Sequence, residues 1–209
     1  MPTLSPLRRW QTERLARSFA DFLAEPRMRP AAEFFLSDLY SDRDFSGRDR
    51  DVALVMPLMA RLLPENLLVA ATDAIELAVL SHAFDLRLAE HLATRAQPSS
   101  PISESDYAQA YRATGCRRLR HHQIELILEV GHTLDAAVKR HGVYRLLKAS
   151  RLPAKLAGLS ELQGFLERGF AAFDRLGGAE EFLARIAERE QAVSRRLFDG
   201  DPQPFAARD

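Results

Sequence analysis

The stretch Asn66–Leu92, NLLVAATDAIELAVLSHAFDLRLAEHL, decides how this chain folds. At the helical period of about 100° per residue, Leu67, Leu68, Val69, Ile75, Leu77, Val79, Leu80, Phe84, Leu86 and Leu88 fall on every side. A helix with no continuous polar face belongs in a core, surrounded by other helices. Asp73, Glu76, His82 and Asp85 interrupt the run, which argues against a membrane span. Ionisable groups inside a core need partners or a task. His82 and Asp85 lie one turn apart, close enough to hydrogen-bond, while Asp73 and Glu76 share another side. These four are candidate ligand-binding residues. The structural alternative is that they pair with Arg61, Arg87 or loop arginines and fix helix packing.

Beyond this segment the periodicity is helical nearly everywhere. Trp10, Leu15, Phe19, Phe22 and Leu23 mark a first helix that stops near Pro26, and Pro30 opens a second. Ser41–Asp51 reads as a charged loop, and Val52–Leu63 as a third helix that Pro57 kinks or delays. Gln97–Ser105 (QPSSPISES) is a Pro- and Ser-rich linker in which Ser103 or Ser105 caps a short helix ending at Gly115. A long helix spans Arg117–Arg140 with Gly142 as its stop, and a short one, Val143–Ser150, ends ahead of Pro153. Ser160 and Gln163 have capping-box spacing. Leu162, Phe165, Leu166, Gly169, Phe170 and Phe173 follow at amphipathic intervals, Gly177 and Gly178 turn the chain, and Phe182, Leu183, Ile186, Val193 and Leu197 line a last helix.

The expected fold is therefore all-α: one globular domain of seven to nine helices, the 66–92 helix buried at its centre. A C-terminal αα-hairpin over residues 160–197 packs against it. Residues 1–96 form an N-terminal half, 97–105 a linker, 106–200 a C-terminal half and 201–209 a tail, together one structural domain.

The 29 basic and 29 acidic residues cancel, so no net field gathers nucleic acid or anionic lipid. Only Lys139, Lys148 and Lys155 are lysines, and with arginine so general single arginines carry little weight as phosphate binders. The lone Cys116 rules out an internal disulfide and fits a reducing cytoplasm. Met1–Trp10 lacks an apolar run long enough for a signal peptide.

The long helix carries a second constellation, His122, Glu125, Glu129 and His132. Glu129-x-x-His132 has the spacing by which bundle helices supply di-metal ligands. All four lie within an arc of roughly 80°, which makes them candidate metal ligands. The same wheel puts Ile124, Leu126, Ile127, Val130, Leu134 and Val138 on the opposite side, so the stripe most simply faces water. Asp42, Asp44 and Ser46 resemble the opening of a calcium loop, but position twelve is Ala53 and an EF-hand is rejected. Arg117, Arg118, Arg120, His121 and His122 form a short basic cluster. Cys116 stands at a helix start without an evident base. No phosphate loop, zinc spacing, nucleophile elbow or other catalytic motif is present, and no cofactor is predicted.

Phe34-Phe35-Leu36-Ser37-Asp38-Leu39-Tyr40, followed by Asp44-Phe45 and Arg48-Asp49-x-Asp51, resembles the signature of an uncharacterised family of proteobacterial proteins. The resemblance extends through Leu62-Leu63-Pro64, Gly164–Phe170 and Gly177-Gly178-Ala179. It implies a bacterial, helical, single-unit protein and no activity. The leading functional expectation is a cytoplasmic, non-enzymatic interaction or regulatory protein, forming a homodimer or holding a protein partner through Phe-rich faces (Phe165, Phe170, Phe173, Phe182). The alternative is a ligand- or metal-binding helical protein of di-metal or haem type. Neither nucleic acid nor membrane is an expected partner.

Overall fold

The structure, a computed structural model, describes residues 3–39, 65–94, 100–140, 142–156 and 160–206. Among them every regular element is helical. The elements are α1 (Leu4–Ser18), α2 (Ala20–Ala24), α3 (Arg29–Phe34), α4 (Glu65–Ala93), α5 (Glu104–Thr114), α6 (Arg117–Val138), α7 (Val143–Ala149), α8 (Arg151–Leu156), α9 (Ser160–Leu176) and α10 (Glu180–Asp199), with a π-helical turn at Phe35–Leu39. The Ser41–Asp51 loop, its calcium-like opening and the Val52–Leu63 helix lie outside the described residues, and so do residues 97–99 of the linker.

Local signals account for most boundaries. Ser103 caps α5 through a full capping box: its hydroxyl accepts from the Asp106 amide at 3.1 Å, and the Asp106 carboxylate accepts from the Ser103 amide at 3.0 Å. Gly115 ends α5 at φ 64°, and Gly142 separates α6 from α7 at φ 94°. The single N-terminal helix expected from periodicity is broken at Phe19 into α1 and α2. Pro153 falls in the first turn of α8, where a missing N–H costs nothing, so the chain resumes a helix there instead of stopping before it.

Among the described residues, α6 meets more neighbouring helices than α4, the helix that the sequence points to. α6 packs against α4, α7, α9 and α10, whereas α4 meets chiefly α1, α5 and α6. Leu77, Phe84, Leu88 and Leu92 of α4 are buried, but Val69 and Val79 are 50% and 53% exposed. The apolar surround of α4 thus faces solvent on one side. What makes α6 the hub is a wide buried face of Ile124, Leu126, Ile127, Val130, Leu134 and Ala137, interrupted by Gly131. Leu183 of α10 occupies the space where a Gly131 side chain would stand.

The Gly177–Gly178 turn forms as expected, with φ of 68° and 136°. The buried Asp135 carboxylate on α6 anchors it by accepting from the Ala179 amide at 3.1 Å. The arms of the hairpin make their main contacts with α6, and α9 also with α3, rather than with α4. Gln163 ties α9 to α7 by donating to the Leu147 carbonyl at 2.6 Å.

Two hydrophobic cores result. The larger gathers Phe22, Phe34, Phe35, Phe165, Phe170, Phe173 and Phe182 around α6. The smaller gathers Leu7, Leu88, Leu92, Tyr107, Tyr111, Val193 and Leu197. The segment after Gly200 is no loose tail. Phe205 packs on Trp10 and Tyr107, and the Ala206 carbonyl accepts from Arg196 at 2.9 Å.

Candidate functional site

Where the two cores meet, five helices leave a polar cavity of about 100 Å³. Each contributes side chains at helical spacing. α1 brings Arg8, Gln11, Arg14 and Leu15; α4 brings Ala78, Ser81, His82 and Asp85; α5 brings Tyr107 and Tyr111; α6 brings Arg120, Gln123, Ile124 and Ile127; α10 brings Glu190, Val193, Ser194 and Leu197. The i, i+3, i+4, i+7 pattern that normally buries apolar groups here turns polar ones inward on every wall.

Most of these groups hold one another. Arg8 donates from Nε to Asp85 at 3.1 Å and from Nη2 to His82 Nδ1 at 2.9 Å. Because a guanidinium only donates, His82 accepts at Nδ1 and carries its ring proton on Nε2. Gln11 donates to the other Asp85 oxygen at 3.1 Å. Burial pushes the Asp85 carboxyl up, against the lowering pull of Gln11, Arg8 and the Arg120 charge. Arg14 grips Glu190 with both terminal nitrogens, at 2.7 and 3.2 Å. The Tyr111 and Ser194 hydroxyls share a hydrogen bond at 3.0 Å.

Arg120 stands apart. It is only 6% exposed, and no carboxylate is in ion-pair contact with it among the described residues. Nη1 donates to Gln123 Oε1 at 3.1 Å, and Gln123 in turn donates to Ser81 at 2.7 Å. Nε and Nη2 are buried without a hydrogen-bond partner. The guanidinium lies against two rings, 3.6 Å from the Phe84 centroid and 4.5 Å from that of Tyr111. Cation–π contact of this kind offsets part of the desolvation of a cation, but it satisfies no in-plane N–H.

The four ionisable groups read from α4 separate into two places. His82 and Asp85 enter the cavity, joined through Arg8 rather than directly to each other. Glu76 instead faces the α6 surface and meets His122 Nε2 at 2.9 Å. That hydrogen bond, foremost among the causes, raises the His122 pKa above its ordinary value. Asp73 is half-buried, and burial followed by the Glu76 charge raises its carboxyl. Of the α6 stripe, Glu125, Glu129 and His132 are exposed. Glu125 approaches His121 at 3.3 Å and His122 at 3.7 Å. Among the described residues no group of three or more His, Cys, Asp or Glu side chains is placed to hold a metal ion.

The Phe-rich faces expected to leave apolar surface are inside: Phe165, Phe170, Phe173 and Phe182 are all buried. Arg8, Arg14 and Arg120, the cations of the cavity, escape a reading that discounts single arginines. A signal was present for Arg120: it shares the helical face of Ile124, Ile127 and Leu134, one charge at the head of an apolar stripe.

A family model described as "Domain of unknown function (DUF8198)" matches residues 1–204. The chain belongs to this family. The match takes in both cores and every wall of the cavity, so the DUF8198 unit coincides with the folded unit described above. No curated protein and no solved structure matches the chain. No helix among the described residues is long and apolar enough to cross a membrane.

Proposed function

We propose that this DUF8198 chain is a ligand-binding helical protein that takes a small anion in the cavity between its cores. The observation that carries the reading is Arg120: a buried cation with two orphaned nitrogens and, among the described residues, no carboxylate in ion-pair contact. Burying an uncompensated charge is costly, and a buried group left unsatisfied marks a place where strain, chemistry or an incoming ion is to be sought. Arg8 and Arg14 each have a carboxylate in the wall, so among the described residues of the cavity Arg120 is the cation left for a ligand. His82 and Asp85 serve this site by fixing Arg8 across from it.

Thermal unfolding in a series of sodium salts at constant ionic strength tests this. At least one small anion raises the midpoint of the wild-type chain above that in chloride, and the gain disappears in Arg120→Met. Equal midpoints in all salts would remove the basis for the reading.

A specific observation also favours the interaction-protein reading. Leu152 and Leu156 on α8 are 65% and 81% exposed, with Tyr144 and Leu146 of α7 beside them in sequence. Apolar side chains so placed suit a second copy or another protein. Light scattering at micromolar concentration checks for the homodimer, and a monomer there counts against self-association.

A further inference from the structure

Resting on the anion-binding reading above, we infer that the ligand is a short-chain monocarboxylate whose carboxylate is held side-on by the Nε–Nη2 edge of Arg120. Three independent features favour a carboxylate over a phosphoryl or sulfate group.

Charge comes first. Arg8, Arg14 and Arg120 line the cavity against two carboxylates, Asp85 and Glu190, each already held by one arginine. Among these described residues the unmatched charge is a single positive one. A monoanion neutralises it, whereas a dianion leaves a buried negative charge with no further cation to meet it.

Donor geometry comes second. Gln123 occupies Nη1, and the two nitrogens without partners are Nε and Nη2. These are neighbours on one edge of the guanidinium, the edge that gives two parallel N–H···O bonds to the two oxygens of a carboxylate. Phe84 and Tyr111 lie against the guanidinium, which fixes the plane of that fork. Both nitrogens are sealed from water, so a wall side chain must rotate before they open onto the cavity, and association is slower than diffusion.

The walls come third. Leu15, Ile124, Ile127, Val193 and Leu197 face the same space. They give a hydrocarbon body apolar contact that a tetrahedral oxyanion has no group to use. The volume of about 100 Å³ sets the size. It is less than the roughly 150 Å³ of a cavity that holds a benzene-sized ring, so the acid is of the propionate or butyrate class.

Isothermal titration of the full chain with sodium propionate and sodium butyrate, alongside phosphate and sulfate at matched ionic strength, decides the matter. The carboxylates bind and the oxyanions bind at least tenfold more weakly. Arg120→Met weakens butyrate at least tenfold. Arg120→Lys, which keeps the charge but not the fork, also weakens it, and Arg118→Met, exposed on the same helix, leaves it unchanged. Trp10 gives a second readout, since it stacks at 4.3 Å on Tyr107 in the cavity wall, and its emission shifts as butyrate saturates. Preferential binding of phosphate or sulfate through Arg120 would overturn the carboxylate inference and leave the anion site standing. Butyrate affinity unaltered in both Arg120 variants would overturn the inference as well. Binding of none of the four anions would remove both.

Discussion

Arg120 illustrates how one residue can be satisfied in energy without being satisfied in chemistry. Stacking on Phe84 and Tyr111 supports its charge, while two of its nitrogens have no acceptor. Replacing a buried, unpaired cation by an apolar chain of similar length is often neutral or stabilising. Arg120→Met is therefore expected to unfold within about 1 kcal/mol of wild type, or above it, by chemical denaturation without added ligand. A loss of several kcal/mol would instead mark Arg120 as a structural strut. His122 is the other telling residue. Its hydrogen bond to Glu76 lifts its pKa, so the stabilisation is complete below the ordinary value of 6.5 and fades as pH rises through the folded value. Nuclear magnetic resonance titration should show a His122 midpoint above 6.5 that drops towards it in Glu76→Gln.

Among the helices, α6 draws its role from shape as much as from hydrophobicity. Gly131 lets Leu183 approach the α6 backbone, and Leu183 is fully buried with nowhere to retreat. Gly131→Ala gains up to about 1 kcal/mol in helix propensity but overpacks the contact at a cost of about 1–3 kcal/mol. Net destabilisation is expected, read as a lower denaturation midpoint. Gly164→Ala on α9 is the control with the opposite sign. There the added carbon meets only the guanidinium end of the exposed Arg168 side chain, so the propensity gain of about 0.5–1 kcal/mol survives.

At the scale of the molecule, distant parts of the chain are stapled together by ion pairs and by the folded-back C-terminal segment. Asp21 of α2 meets Arg185 at 2.5 Å and Arg189 at 2.6 Å on α10, and its pKa falls from 3.8 to about 2, foremost through the Arg189 hydrogen bond. Glu167 falls from 4.5 to about 2 chiefly through Arg151. Carboxyls lowered in this way contribute stability that is complete above their ordinary pKa and lost as pH drops towards 2. Asp21→Asn should cost about 1 kcal/mol at neutral pH, after allowance for solvent screening of a partly exposed pair. The deficit should vanish in melts near pH 2. Phe205 closes the smaller core over Trp10 and Tyr107. Phe205→Ala is expected to cost about 2–4 kcal/mol and, because Trp10 is the sole tryptophan, to redden the intrinsic emission.

Helical class, most boundaries and the Gly177–Gly178 turn were legible along the chain because they rest on short-range physics: caps, breakers, positive-φ glycines and a 3.6-residue period. Charges set in an apolar run singled out Asp73, Glu76, His82 and Asp85 alike, and the pattern did not encode that only His82 and Asp85 line the cavity. Which helix became the hub was not legible either, because apolarity on all sides says that a helix can be surrounded, not that neighbours exist to surround it. α4 has more apolar surface than its neighbours cover, and α6, with a clear polar face, has the better-fitting one. The cavity escaped for a related reason. Its walls come from five helices far apart in sequence, and whether a buried arginine meets a carboxylate, as Arg8 and Arg14 do, or meets none among the described residues, as with Arg120, depends on tertiary distances that no local pattern encodes.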